Sequence, residues 1–141
     1  MSEAKAVPAK IVKPETEWMR QLTPEQFHVT RMKATERPFS GKYDGCKTPG
    51  TYHCVCCGQA LFTSAAKFES RSGWPSFTEA ISPDAVATET DLSLGMARTE
   101  VLCARCDAHL GHVFDDGPAP TGQRYCMNSV ALRLVPKDAG T

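Results

Sequence analysis

The chain has 141 residues, enough for one domain with a hydrophobic core and too few for two substantial domains. Lys plus Arg and Asp plus Glu number 16 each, so the chain lacks the basic excess that binding to nucleic acid or anionic membranes requires. The sequence contains no apolar run of the roughly 18 residues that a membrane span needs, and its charged N-terminus does not resemble a signal peptide. We therefore expect a soluble, cytoplasmic protein that binds neither nucleic acid nor membranes.

The N-terminal part of the chain predicts a tail followed by a short helix. Residues 1–17 consist mainly of Ala, Lys, Pro and Glu and predict a flexible tail. In "LTPEQFHVTR", Thr23 can cap a helix, Pro24 suits the first helical position, and Gln26 completes a capping box. We expect one short helix in this stretch.

From residue 50 onward the pattern changes to that of strands and tight turns. Short apolar and aromatic runs are separated by Gly, Pro, Asp and Ser, as in "GWPSF", "DLSLG" and "DDGPAPTGQ". This pattern predicts a mainly β domain.

The cysteine spacing predicts a metal site. Seven cysteines in a cytoplasmic chain indicate metal binding or thiol catalysis, because the glutathione pool disfavours structural disulfides. Two C-x-x-C pairs, Cys54 with Cys57 and Cys103 with Cys106, can supply four thiolates to one structural zinc ion. A redox dithiol is the alternative. Cys56 could replace Cys57 as a ligand, but C-x-C is the rarer geometry and Cys56 suits a small core position.

A seventh thiol, Cys126, stands far from the other cysteines in "GQRYCMNSVALRL". After its first residue this stretch lacks both Gly and Pro and carries Tyr, Val and Leu, so it predicts a strand. In that strand Arg124, Cys126 and Asn128 share one face while Tyr125 and Met127 share the other. A neighbouring guanidinium favours the thiolate, which is the nucleophilic form of cysteine. The alternative is a buried core cysteine with no chemical role.

Three further side chains are candidates for the same site. His109 and His112 precede the strand and are followed by Asp115 and Asp116, so they could supply acid–base groups. Zinc ligation by either His is the competing use, although four cysteines already satisfy the ion. Trp74 could form an apolar wall of a binding site or simply pack in the core.

Five stretches together carry a family resemblance: "LTPEQFHVTR", "ERPFSG", "YHCVCCGQALF", "KFESRSGWPSF" and "CARCDAHLGHVFDDGPAPTGQRYCMNSVALRL". In this order they span about four fifths of the chain, which resembles the methionine-R-sulfoxide reductases, the B-type enzymes of methionine sulfoxide repair. The resemblance implies a mainly β fold with two antiparallel β-sheets and short N-terminal helices, in which the zinc site holds distant segments of the chain together. We place this single domain at residues 18–136 and a C-terminal tail at 137–141.

The resemblance also implies residue roles. Cys126 would be the nucleophile and Trp74 would contact the methyl group of the substrate. The residues around the thiol would be Arg124, His109, His112 and Asn128. Attack on the sulfoxide would yield methionine and a sulfenic acid, which a second thiol can condense into a disulfide. The substrates would be mainly oxidised proteins carrying methionine R-sulfoxide, and the reductant would be thioredoxin.

The resolving thiol is the point at which the chain departs from a common family pattern. That pattern has a cysteine two residues before the Trp of "GWPSF", whereas this chain has Ser72. Only Cys46 and Cys56 then remain unassigned. We favour Cys46, because its Gly-rich polar stretch "SGKYDGCKTPG" can move, while an incidental loop cysteine is the alternative.

Two other classes of protein share parts of this pattern. A zinc-ribbon interaction module explains both C-x-x-C pairs but leaves Cys126 and the histidines unused. A Cys/His/Asn acyl-transfer enzyme would use much the same thiol site.

Overall fold

The structure, a computed structural model, describes residues 10–92 and 95–137. Residues 1–9 and 138–141, which include most of the two predicted tails, lie outside the described residues. Within the described ranges the helices and strands are α1 (Glu15–Gln21), α2 (Pro24–Arg31), β1 (Gly50–Cys54), β2 (Ala60–Thr63), β3 (Lys67–Phe68), β4 (Ser76–Phe77), β5 (Val86–Asp91), β6 (Arg98–Cys103), β7 (His109–Phe114), β8 (Arg124–Met127) and β9 (Leu132–Pro136). None of the described helices is long and apolar enough to cross a membrane.

The predicted helix is α2, and its capping box is present. The Gln26 amide donates to the Thr23 hydroxyl at 3.1 Å, and the Thr23 amide donates to the Gln26 side chain at 2.9 Å. A second helix, α1, begins at Glu15, inside the segment that composition assigns to the tail. It forms because Trp18 is buried in the core, a long-range contact that local composition does not reveal. The extent of the tail stays a prediction.

The nine strands form two antiparallel sheets, which confirms the predicted fold class. One sheet has the order β2-β1-β9, and the other has the order β3-β4-β8-β7-β6-β5. The core contains a cluster of fully buried rings, in which Phe77 stacks on Phe62 at 4.5 Å and meets Tyr52 edge-on at 5.2 Å. These rings come from both sheets, so aromatic packing holds one sheet against the other.

Strand β8 lies inside the larger sheet and carries Cys126. Cys126 pairs with Ser76 of β4 on one side and with His112 of β7 on the other. The close approach of β7 and β8 requires glycine at position 111, because a Cβ there would lie 2.1 Å from the Cys126 carbonyl oxygen. The sheet therefore holds the thiol between two fixed neighbouring strands.

A β-bulge near the start of β7 sets the direction of the two histidines. His109 pairs with Leu102 of β6, and Leu110 is the extra residue in the ladder. In a regular strand His109 and His112, three positions apart, would face opposite sides of the sheet. The bulge brings both rings to the same side, with centroids 5.5 Å apart.

Candidate active site and metal centre

The four cysteines of the C-x-x-C pairs come together at one point between the sheets. Their sulfur atoms all lie within 4.8 Å of one another, and the distances between Cys54 and Cys106 and between Cys57 and Cys103 are 3.6 Å. With Zn–S bonds of about 2.3 Å, a tetrahedral ion would separate its sulfurs by about 3.8 Å. The cluster therefore fits a metal ion with four thiolate ligands and has no coordination position left for catalysis.

Tight turns place these sulfurs. Cys54 ends β1 and Cys103 ends β6, and in each turn an amide four residues later donates back to the carbonyl of that cysteine at 2.8 Å. Cys56, the alternative ligand, lies outside the cluster and is only 5% exposed. The structure thus brings Cys57 to the predicted site and leaves Cys56 in the core.

A cavity of about 250 Å³ opens over Cys126. The described residues that line it are Thr35, Ser72, Trp74, Arg98, Gly111, His112, Phe114, Arg124, Cys126 and Asn128. Five of the predicted site residues are among them. On the other side of β8, Met127 is fully buried and Tyr125 packs 5.7 Å from Phe62, as the alternation of the strand predicts. His109 and Cys46, the two remaining candidates, do not line this cavity.

The environment of Cys126 pulls its pKa in two directions. Burial is the largest influence and raises the pKa of the thiol, while contacts with Ser72, Arg124 and Ser76 act to lower it. The Ser72 hydroxyl lies 3.5 Å from the Cys126 sulfur. The net pKa is above the ordinary value, so the effect of Arg124 that the sequence predicts is present but smaller than the cost of burial.

Arg124 is held by an acidic partner. Its guanidinium donates to both carboxylate oxygens of Asp116 at 2.8 and 3.1 Å and lies 4.5 Å from the centre of the Phe114 ring. This pair lowers the pKa of Asp116 through the hydrogen bond from Arg124. The two contacts orient the cation at the edge of the cavity.

His112 faces Cys126 across the ladder and is anchored by a carboxylate. Its Nε2 lies 2.7 Å from the Asp91 carboxylate, which also accepts a hydrogen bond from Arg98 at 3.3 Å. Asp91 ends β5, two strands away from His112 in the sheet order. Sequence analysis missed Asp91, because no motif or spacing relates it to the histidine.

His109 lies behind His112 in the interior. Its Nδ1 is 2.7 Å from the buried Glu100 carboxylate, and its Nε2 has no hydrogen-bond partner among the described residues. Burial lowers the pKa of His109 even though Glu100 acts to raise it. His109 therefore contacts the ring of His112 and does not reach the cavity itself. Glu100, like Asp91, has no sequence signal that marks it.

Asn128 and Trp74 share an anchor in the chain segment around Glu36. The Asn128 side chain accepts from the Glu36 amide at 2.9 Å and donates to the Leu110 carbonyl at 3.1 Å. The Trp74 indole donates to the Glu36 carbonyl at 3.0 Å. These bonds fix the indole ring as a wall of the cavity and occupy both ends of the Asn128 amide.

Cys46 lies in a different cavity, of about 150 Å³, lined also by Lys47, Ser64, Lys67, Phe68 and Glu69. This cavity shares no lining residue with that of Cys126. Burial acts to raise the pKa of Cys46, but the nearby polar groups of Thr48 and Tyr52 and the charge of Lys67 together hold it below the ordinary value. The described structure thus leaves Cys46 apart from Cys126.

Comparison with known proteins identifies the family. A family model described as the SelR domain matches residues 22–136. A peptide methionine sulfoxide reductase MsrB of Pseudomonas fluorescens Pf-5 is 62% identical over 91% of this chain and 98% of its own length. The proteins of the same name from Pseudomonas aeruginosa PAO1 and Hahella chejuensis are 58% and 57% identical, over 93% and 92% of this chain and 99% and 93% of their own lengths.

These matches favour a reductase over the two alternatives that the cysteine and histidine pattern left open, a zinc-ribbon interaction module and an acyl-transfer enzyme. The SelR match includes both cysteine pairs, the two histidines and Cys126. Because the match extends over most of the chain and the relatives are more than half identical over nearly their whole lengths, the chain belongs to the SelR domain family and is an enzyme that reduces methionine sulfoxide.

Proposed function

We propose that the enzyme reduces the R epimer of methionine sulfoxide, mainly in oxidised proteins, by attack of the Cys126 thiolate on the sulfoxide sulfur. The observation that carries this proposal is the cavity in which Cys126 lies beside Trp74 and opposite His112. A cavity with one apolar wall and one polar side suits a sulfoxide, whose methyl group is apolar and whose oxygen accepts hydrogen bonds. The family resemblance supports the choice of epimer.

In the first step one oxygen atom passes from substrate to enzyme. Attack by the Cys126 thiolate first forms a bond between the two sulfur atoms. The protonated oxygen then transfers to the Cys126 sulfur as this bond and the S–O bond break, which releases methionine and leaves a sulfenic acid on Cys126. The raised pKa keeps the resting thiol protonated, so that proton must be removed before attack and can be delivered to the sulfoxide oxygen. His112 is the proposed carrier, because it faces Cys126 and Asp91 orients its ring.

The other site residues have supporting roles in the proposal. Trp74 contacts the substrate methyl group, and Arg124 stabilises the thiolate. His109 and Asn128 act through neighbours, His109 by packing against His112 and Asn128 by holding the chain at Glu36.

In the second step the sulfenic acid condenses with the thiol of Cys46, forming a disulfide and releasing water, and thioredoxin then reduces the disulfide. The lowered pKa of Cys46 supports this role, since it increases the thiolate fraction. A disulfide requires Cα atoms within about 7 Å, so the segment before β1 has to move toward Cys126. Cys56 is a poorer candidate, because it is buried beside the metal cluster.

The proposal includes one structural zinc ion, bound by Cys54, Cys57, Cys103 and Cys106. The spacing of the four sulfurs supports zinc, which prefers tetrahedral thiolate sites. The catalytic unit is the domain proposed at residues 18–136. The cytoplasm is the proposed location, since catalytic thiols and a thiolate metal site require reducing conditions.

The first test is epimer-resolved reduction of a peptide that contains methionine sulfoxide, with dithiothreitol as reductant. We expect the wild type to consume only the R epimer and Cys126→Ser to be inactive, because a hydroxyl is a far weaker nucleophile of nearly the same size. Chromatography of both epimers is the measurement, and circular dichroism of the variant shows that it is folded. Consumption of the S epimer, or turnover by the variant, would contradict the proposal.

The raised pKa of Cys126 predicts a pH dependence. Alkylation of Cys126 by iodoacetamide in the substrate-free enzyme should increase with pH, with a midpoint above the ordinary value of 9.0, because burial favours the neutral thiol. Arg124→Met should move the midpoint higher, whereas Arg133→Met, at an exposed position of β9, should not. Peptide mapping by mass spectrometry measures the rates. A midpoint below 9.0, or an identical midpoint for Arg124→Met, would be inconsistent with this account.

The metal proposal predicts one zinc ion per chain by elemental analysis. Cys103→Ser should lose the ion and unfold at a much lower temperature, because zinc binding to four-ligand structural sites contributes roughly 10 kcal/mol to folding. Cys56→Ser is the control and should keep the ion, since Cys56 lies outside the cluster. A wild type that contains no zinc and withstands chelators unchanged would refute the proposal.

The proposed role of Cys46 predicts a separation of the two steps. Cys46→Ser should still release one methionine per enzyme but turn over slowly with thioredoxin, and its sulfenic acid should be trapped by a dione reagent. Mass spectrometry of oxidised wild type should find a bond between Cys46 and Cys126. A bond from Cys56 to Cys126, or no intramolecular disulfide, would assign the resolving step elsewhere.

A further inference from the structure

Phe39 has a backbone conformation that its residue type disfavours. Its φ angle is +66°, in the left-handed region, and its side chain is 69% exposed. A bulky aromatic residue rarely adopts this conformation, and exposing the ring to water brings no compensating burial. Such a combination persists only where the surrounding structure enforces it, and it is typical of functional sites.

The chain segment at Gly73 enforces this conformation. The Phe39 amide donates to the Gly73 carbonyl at 2.7 Å. A Cβ on Gly73 would lie 2.7 Å from Pro38 Cβ and 3.0 Å from Phe39 Cδ2, so glycine is required here and the edge of the Phe39 ring lies against it. Gly73 itself has a φ angle of +96°. Two unusual backbone conformations therefore support each other.

This contact lies at the wall of the Cys126 cavity. Ser72 and Trp74, on either side of Gly73, both line the cavity, as does Thr35. The Trp74 indole is bonded to the carbonyl of Glu36. The exposed Phe39 ring thus lies against the residue that precedes Trp74 in the chain and is not itself part of the cavity lining.

We propose that Phe39 is a specificity-determining residue that binds an apolar side chain two residues from the methionine sulfoxide in a polypeptide substrate. This inference rests on the proposed function. A cavity of about 250 Å³ can admit the methionine sulfoxide side chain, while the backbone of the substrate stays at the mouth. Side chains two residues apart in an extended peptide face the same side and lie about 6.6 Å apart, so the side chain two residues from the sulfoxide lies within reach of a ring beside Trp74. An exposed phenyl ring favours apolar partners.

The test compares two blocked peptides that differ only in the residue two positions from the sulfoxide, Leu in one and Ser in the other. We expect wild type to have a kcat/KM about tenfold higher for the Leu peptide, which is the discrimination typical of one hydrophobic contact. Phe39→Ala should bring the ratio close to one by raising KM for the Leu peptide, whereas Phe39→Leu should keep most of it. Ile81→Ala is the matched control and should leave the ratio unchanged. Ile81 is also exposed, but its backbone amide donates to the carbonyl of Leu61 in the smaller sheet.

Thermal unfolding separates specificity from stability. Phe39→Gly should also lose the preference, yet its unfolding midpoint should equal or exceed that of wild type, because glycine accepts a positive φ angle without strain. A ratio that stays unchanged in Phe39→Ala and Phe39→Gly, or that falls only because both peptides lose kcat equally, would overturn the inference. Wild-type turnover of the small substrate N-acetyl methionine sulfoxide tests the proposed function separately. If that substrate is reduced and the peptide ratio does not depend on Phe39, only the inference about Phe39 fails.

Discussion

The four-cysteine cluster is the constraint on which the rest of the structure depends. Cys54 ends a strand of the smaller sheet and Cys103 ends a strand of the larger one, so the cluster joins the two sheets at their ends. The packed aromatic rings of the core join the same sheets along their faces. In a domain of this size, hydrophobic burial alone leaves a narrow margin of stability, and a bound ion would add directly to it. The larger sheet can then carry a cavity on its outer side.

The position of Cys126 in the cavity disfavours its thiolate form, and neighbouring side chains partly offset this effect. Burial protects the Cys126 thiol from water but also disfavours its charged form, and the nearby Arg124 and Ser72 offset only part of that effect. The proposed mechanism therefore needs a group that removes the thiol proton at the moment of attack. His112 is the neighbour that the sheet holds opposite the sulfur, with its orientation set by Asp91. Cys46 lines a separate cavity, so a movement of its segment is part of the proposed cycle.

Much of this arrangement could be predicted from local sequence. The C-x-x-C pairs predict a cluster because each pair lies within one tight turn, and the capping box predicts α2 because its partners are three residues apart. The alternation around Cys126 predicts which side chains face the cavity. Composition by itself gave no signal for α1, where the burial of Trp18 outweighs a polar composition.

What the sequence by itself determined are the features whose partners lie a few residues apart along the chain. Only the tertiary structure decided the features that join distant segments. The Leu110 bulge turns both histidines to one side, and Phe39 rests against Gly73. Glu100 reaches His109 from the adjacent strand, and Asp91 reaches His112 from two strands away. None of these contacts leaves a periodic or compositional signal, because strand register and loop contacts depend on how the whole sheet packs.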